Sequence, residues 1–166
     1  MIFPEFENME IINRLRALYD PLVNLVQPHI TLVFPFKSTI TTKQLAEHLN
    51  DTLKDIRKFS LTLQGISPYQ IGGNYLFLNI RIGNEAIRVL HDKLYTGILK
   101  KFCRMDIPFV PHMTIGNIDK DSEYRKAIHH TKEIDELFCT QVTRISVETI
   151  GESGESMIEY EYNLLD

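Results

Sequence analysis

The sequence predicts an α+β fold, bilobal and duplicated, in which two mostly antiparallel sheets carry helices on their outer faces and enclose a central cleft. Three observations lead there. A five-residue pattern occurs twice, as Pro28-His29-Ile30-Thr31-Leu32 and as Pro111-His112-Met113-Thr114-Ile115, with the histidines 83 residues apart (112 − 29), half the chain. The order strand, helix, motif strand, helix, strand fills the first half and recurs from about Asn74 with one strand added. A repeat of this size points to internal duplication with pseudo-twofold symmetry, since a solenoid needs several copies. The strands also alternate apolar with polar residues, so each sheet buries one face and leaves the other for a cleft. The chain is read as one domain over residues 1–166, with pseudo-repeat lobes at approximately 1–73 and 74–166.

The elements follow in order. Met1 to Phe6 is short and apolar and reads as a strand. Glu7 to Tyr19 reads as a helix, because Met9, Ile12, Leu15 and Tyr19 recur at helical spacing, and Asp20-Pro21 ends it. Pro28 to Phe36 is the first motif strand, with Ile30, Leu32, Phe34 and Phe36 on one face and His29, Thr31 and Val33 on the other. Thr41 to Gln44 fits a capping box that opens a helix with a Leu45, Leu49, Leu53, Ile56 stripe; His48 on that helix reads as solvated.

Phe59 to Ser67 and Asn74 to Ile82 form a hairpin around the Pro/Gly/Asn-rich turn at 68–74. On the second strand Tyr75, Phe77, Asn79 and Arg81 share the polar face. Asn84 is placed as the N-cap of a third helix whose stripe runs Ile87, Leu90, Leu94, Ile98, Phe102. His91 beside that stripe reads as structural. Pro108 to Ile118 holds the second motif, Ser122 to Ile134 is a weaker helix with His129 and His130 on its surface, and Val142 to Ile150 and Met157 to Leu164 are two closing strands.

Composition excludes several classes. A net charge of −4 offers no general attraction to nucleic acid, which argues against long nonspecific RNA binding but leaves room for an RNA terminus. Cys103 and Cys139 show no metal-ligand spacing and read as two buried thiols. The start shows no secretory pattern and no stretch is long and apolar enough to span a membrane, so a cytoplasmic location is expected, with no membrane partner.

The motif carries the chemistry. Residues i and i+2 of a strand point to one face, so each copy sets an imidazole beside a hydroxyl. Two such strands facing each other present two of each. Histidine titrates near pH 6.5, so one neutral and one charged ring can coexist, as base and as acid. Each threonine hydroxyl can donate to a non-bridging phosphate oxygen as charge builds. No third ligand stands at metal spacing, so neither a metal nor a cofactor is expected.

On these two tripeptides, His29-Ile30-Thr31 and His112-Met113-Thr114, the chain resembles the 2H phosphoesterase superfamily, which includes the 2′-5′ RNA ligases and cyclic phosphodiesterases. The resemblance implies metal-independent hydrolysis of a 2′,3′-cyclic phosphate or a 2′-5′ linkage in RNA ends or nucleotides. Catalysis would fall to His29, Thr31, His112 and Thr114. Reversible 2′-5′ RNA ligation, or a module that binds a nucleotide or RNA end without turnover, are the alternatives. Several ligase-like members carry an arginine soon after the second motif, where this chain reads Thr114-Ile115-Gly116-Asn117. Arg81 is the candidate replacement, and Tyr75 or Phe77 the candidate for stacking a base.

Overall fold

The computed structural model describes residues 1–166. It is an α+β fold of two antiparallel sheets and four α-helices. Three helices precede the second motif: α1 (Met9–Tyr19), α2 (Thr42–Leu53) and α3 (Asn84–Leu94); α4 (Asp121–Thr131) follows it. The strands are β1 (Phe59–Tyr69), β2 (Tyr75–Ile82), β3 (His112–Asn117), β4 (Phe138–Val142), β5 (Arg144–Ile150) and β6 (Ser156–Asn163).

The larger sheet has the order β3-β2-β1-β4, with the second motif on its edge strand. The other sheet is named for β5 and β6, but its ladder continues through the first residues of the chain. The Met1 backbone exchanges hydrogen bonds with Ser146 of β5, and Ile2 exchanges both of its own with Ile30. The spatial order is therefore Ile30, Ile2, β5, β6. In each sheet the motif segment is the outermost member of a row of four. The two rows do not follow the halves of the sequence. The expected boundary at 73/74 falls in the β1–β2 hairpin turn, inside one sheet, while the first motif's sheet is completed by residues 144–163. Pairing is set by which apolar faces meet, and the two chain ends meet over one core.

That core explains the alternation. Ile2, Ile30 and Leu32 join Leu61, Leu63, Leu76, Leu78, Met113, Ile115, Phe138 and Ile145 in one buried cluster. Ile12 and Leu15 of α1, Leu49 and Leu53 of α2, and Ile87, Leu90 and Leu94 of α3 close it. Burying side chains of this kind stabilises by about 1.5–3 kcal/mol each relative to exposure.

Several local expectations change. Met1–Phe6 and Pro28–Phe36 form no regular strands: Ile2 and Ile30 make a single bridge, and Pro4 and Pro35 have no N–H with which to extend a ladder. β1 runs through Pro68 to Tyr69, and β4 was not foreseen as a separate strand. The Thr41–Gln44 capping box is present. The third helix is capped by Gly83 at φ 99°, and Asn84 is its first helical residue, its side chain accepting from Arg88. That helix ends at Leu94 and is followed by a 3₁₀ turn, Gly97–Phe102. His48 is not solvated: it is 7% exposed, and its Nε2–H donates to the Leu94 carbonyl at 2.9 Å. Cys139 is exposed and Cys103 half-buried, so neither is a core thiol. No helix is long and apolar enough to cross a membrane.

Candidate active site

Each motif begins with X-Pro-His, and the proline does local work. It fixes its own φ and restricts the residue before it to extended backbone. The carbonyl two residues back then meets the imidazole. Gln27 O lies 2.8 Å from His29 Nδ1, and Val110 O lies 2.6 Å from His112 Nδ1. A carbonyl only accepts, so Nδ1 carries the proton in both rings and Nε2 is left with a lone pair in the neutral form. Two separate stretches of chain thus prepare the same tautomer by the same bond.

Both rings titrate below the usual histidine range. Burial is the main force on His112 and holds it down at about pKa 4; the Val110 carbonyl pulls the other way, and a charge on His29 pushes it lower still. His29 is likewise lowered, first by burial, against the Gln27 carbonyl and the Glu148 carboxylate, which raise it. Thr31 and Thr114 are half-buried, each two residues beyond its histidine.

The expected alternation on β2 holds from Leu76 to Arg81 in direction, but Ile82 at its end is exposed. Phe77 stands opposite Thr114, and Asn79 opposite His112. Leu76, Leu78 and Ile80 point to the core. Phe77, however, is 7% exposed: β1 and β3 flank β2, and its ring is stacked on Tyr69 at 4.6 Å and on His112 at 3.4 Å. A ring packed on both sides cannot also stack a base, so Phe77 is a support for the imidazole. Tyr75 and Tyr69, paired across the hairpin, are half-buried. Tyr69 was missed because the sequence places it in the turn; its signal was the aromatic pair Tyr69/Tyr75 bracketing that turn. Asn79 donates to Ser67 at 2.9 Å, which fixes the amide next to His112.

Arg81 is exposed, one strand repeat beyond Asn79 on the same face. Its guanidinium lies over Gly65, where a Cβ would come within 3.5 Å of it. Gly65 sits at φ 74° in an irregularity of β1, conditions that suit glycine. The other arginines near the first motif are neutralised. Arg16 is buried against Asp20 at 2.7 Å, and Arg144 lies between Glu5 and Glu161 at 2.7 and 2.9 Å. Arg16, Arg144, Glu5 and Glu161 border a groove of about 610 Å³ beside Gln27 and Pro28, lined also by Phe3, whose ring is 6.0 Å from that of His29. No cluster of three or more His, Cys, Asp or Glu side chains is arranged to hold a metal ion.

A family model described as the 2′-5′ RNA ligase superfamily matches residues 3–153. A curated protein of Bacillus licheniformis named "Putative phosphoesterase" is 29% identical over 75% of this chain and 72% of its own length. One of the same name from Geobacillus kaustophilus is 28% identical over 87% of this chain and 82% of its own. The crystal structure of E. coli LigT complexed with ATP aligns over 99% of this chain and 98% of that one, at 16% identity and a TM-score of 0.49.

Proposed function

The chain belongs to the 2′-5′ RNA ligase superfamily, and from that premise we propose that it is a metal-independent phosphodiesterase acting on 2′,3′-cyclic phosphates or 2′-5′ linkages of RNA ends or nucleotides. The observation that carries the reading is the matched pair of Nδ1–H bonds, which leaves Nε2 of His29 and of His112 as the free ring nitrogen of each neutral imidazole.

On a cyclic phosphate, one neutral imidazole takes a proton from water as its oxygen attacks phosphorus. The opposite, protonated imidazole donates to the 2′ or 3′ oxygen as its bond to phosphorus breaks. The product is the ring-opened monophosphate, and the two rings have exchanged protonation states. His112, held at about 4, suits the base. His29, the other ring, serves as the acid once it is protonated in the complex. A bound anion raises both rings, so the acid is loaded with the substrate. Thr31 and Thr114 donate to the non-bridging oxygens, and Arg81 supplies the positive charge. Tyr75 and Tyr69 offer the aromatic surface.

The test is hydrolysis of nucleoside 2′,3′-cyclic phosphates in the presence of EDTA, followed by chromatography. Turnover that disappears in His29→Ala and in His112→Ala supports the reading. Wild-type rates in either variant reject it. RNA halves ending in 2′,3′-cyclic phosphate and 5′-hydroxyl, assayed in parallel, separate ligation from hydrolysis.

A further inference from the structure

The two motifs are not held equally well. β3 is laddered to β2 along its length, whereas the first motif has only the Ile2–Ile30 bridge, and residues 31–41 continue in no helix or strand. Backbone groups there need partners from elsewhere. Two come from one face of α3 and the residue that follows it. His91 Nδ1–H donates to the Leu32 carbonyl at 2.7 Å, directly after Thr31. The Tyr95 hydroxyl accepts the Phe34 N–H at 2.9 Å. His91 and Tyr95 are 9% and 7% exposed, and their rings meet edge to face at 4.9 Å.

The same helix face reaches the second motif. The His91 ring lies flat on Phe109, centroids 3.6 Å apart and planes 9° from parallel. Arg88, one turn earlier, donates to the Phe109 carbonyl at 3.0 Å. The next residue, Val110, is the one whose carbonyl holds His112. A single side chain therefore touches the residue after Thr31 and the residue before Val110.

We propose that His91, seconded by Tyr95, is a positioning residue that sets the separation and aim of the two catalytic imidazoles by tying the first motif's unladdered exit to the second motif's approach. This rests on the reading of His29 and His112 given above. It gives α3 a role beyond closing the core, and it assigns a function to a histidine that never meets substrate. The groups facing His91 are Asp92 and Arg88 from its own helix, Tyr95, the Leu32 carbonyl and Phe109. None is a carboxylate in contact with the ring, so the link works with neutral His91.

The experiment compares His91→Phe, which keeps a flat ring but removes the donor, with His91→Asn, which keeps an amide donor, and Tyr95→Phe, which removes one oxygen. Two quantities are read well below each variant's melting temperature. One is the NMR titration midpoint of His112 and the other is kcat and KM on a nucleoside 2′,3′-cyclic phosphate. In His91→Phe the His112 midpoint should rise by about one pH unit or more toward the unperturbed histidine value of about 6.5 as the site loosens. The kcat should fall about 30-fold or more with KM changed less than about threefold, since a misplacement of about 1 Å costs about a hundredfold. His91→Asn should restore both in large part, and Tyr95→Phe should move both in the same direction by less.

An unchanged His112 midpoint in folded His91→Phe and Tyr95→Phe overturns the proposal; if His91→Phe does not fold, Tyr95→Phe decides alone. If the wild-type protein turns over no cyclic phosphate, the phosphodiesterase reading fails, and the titration still decides whether His91 positions the pair.

Discussion

The ring of Phe77 lies against the imidazole of His112, centroids 3.4 Å apart and planes 14° from parallel. With Nδ1 bonded to Val110, this stack leaves His112 one orientation, with Nε2 outward. It also removes water from one face of the ring, and burial is the largest reason that His112 titrates at about 4. A group on the hydrophobic side of the strand alternation would not do this; Phe77 does because it stands on the polar face and is flanked by two strands.

Phe77→Ala should therefore act twice. Loss of a buried aromatic ring costs about 3–5 kcal/mol of stability. The His112 midpoint should rise as water enters. Phe77→Leu should recover much of the stability and little of the stack. Urea melts and histidine NMR titration measure the two effects separately.

The histidines should account for nearly all turnover. General acid–base groups each contribute about 10²–10⁴, so His29→Ala and His112→Ala should each reduce kcat by at least about a hundredfold. Thr31→Ala and Thr114→Ala should lower kcat by about 10²–10³ if each donates to the developing charge. Rates on cyclic nucleotides, with circular dichroism as a control for folding, check all four.

The pH dependence follows from the lowered histidines. Their folded pKa values lie below the unfolded value of about 6.5. Between about pH 6.5 and 4 the unfolded chain binds a proton that folded His112 does not, so stability is full above 6.5 and declines as pH falls through that window. The loss from His112 should be on the order of 2 kcal/mol, allowing for its partial exposure. His112→Asn should flatten the dependence, as urea unfolding at pH 7.5 and 5 will show. Adding inorganic phosphate should shift the His112 midpoint upward.

Arg81→Ala should weaken phosphate binding, raising KM about 10-fold or more, with stability changed by less than about 0.5 kcal/mol because the side chain is exposed. Arg81→Lys should recover part of the binding. Steady-state kinetics and thermal melts decide it; an unchanged KM would send the search for the phosphate's counter-charge elsewhere.

Arg16→Met should be costly. Arg16 and Asp20 pair at 2.7 Å with side chains 2% and 4% exposed, and Arg16 also donates to Val26 O at 2.9 Å, holding the loop that leads to His29. Removing one partner of a buried pair costs about 3–5 kcal/mol. The double variant Arg16→Met with Asp20→Leu should regain only part of it, since the Val26 carbonyl and the Leu22 N–H stay without their partners, as denaturant melts will measure.

Much was legible without coordinates because it is local. In the second motif, which lies on β3, the His-x-Thr spacing puts imidazole and hydroxyl on one face, since side chains alternate along a strand. The tautomer was not legible: the Gln27 and Val110 carbonyls that hold each Nδ1–H are seen only in the structure. Periodicity located α1, α2, α4 and β2 to within a few residues, and Thr41 with Gln44 announced its capping box. What tertiary structure alone decided is what long-range packing controls. It chose Ile2 rather than a neighbouring hairpin as partner for Ile30, and so built the first motif's sheet from both chain ends. It buried Phe77 on a face whose sequence pattern reads as polar, and it enlisted His48 and His91 to satisfy carbonyls far away in sequence. A carbonyl left without a ladder partner must be satisfied by whichever donor the fold brings near it, and no periodicity along the chain records which donor that will be.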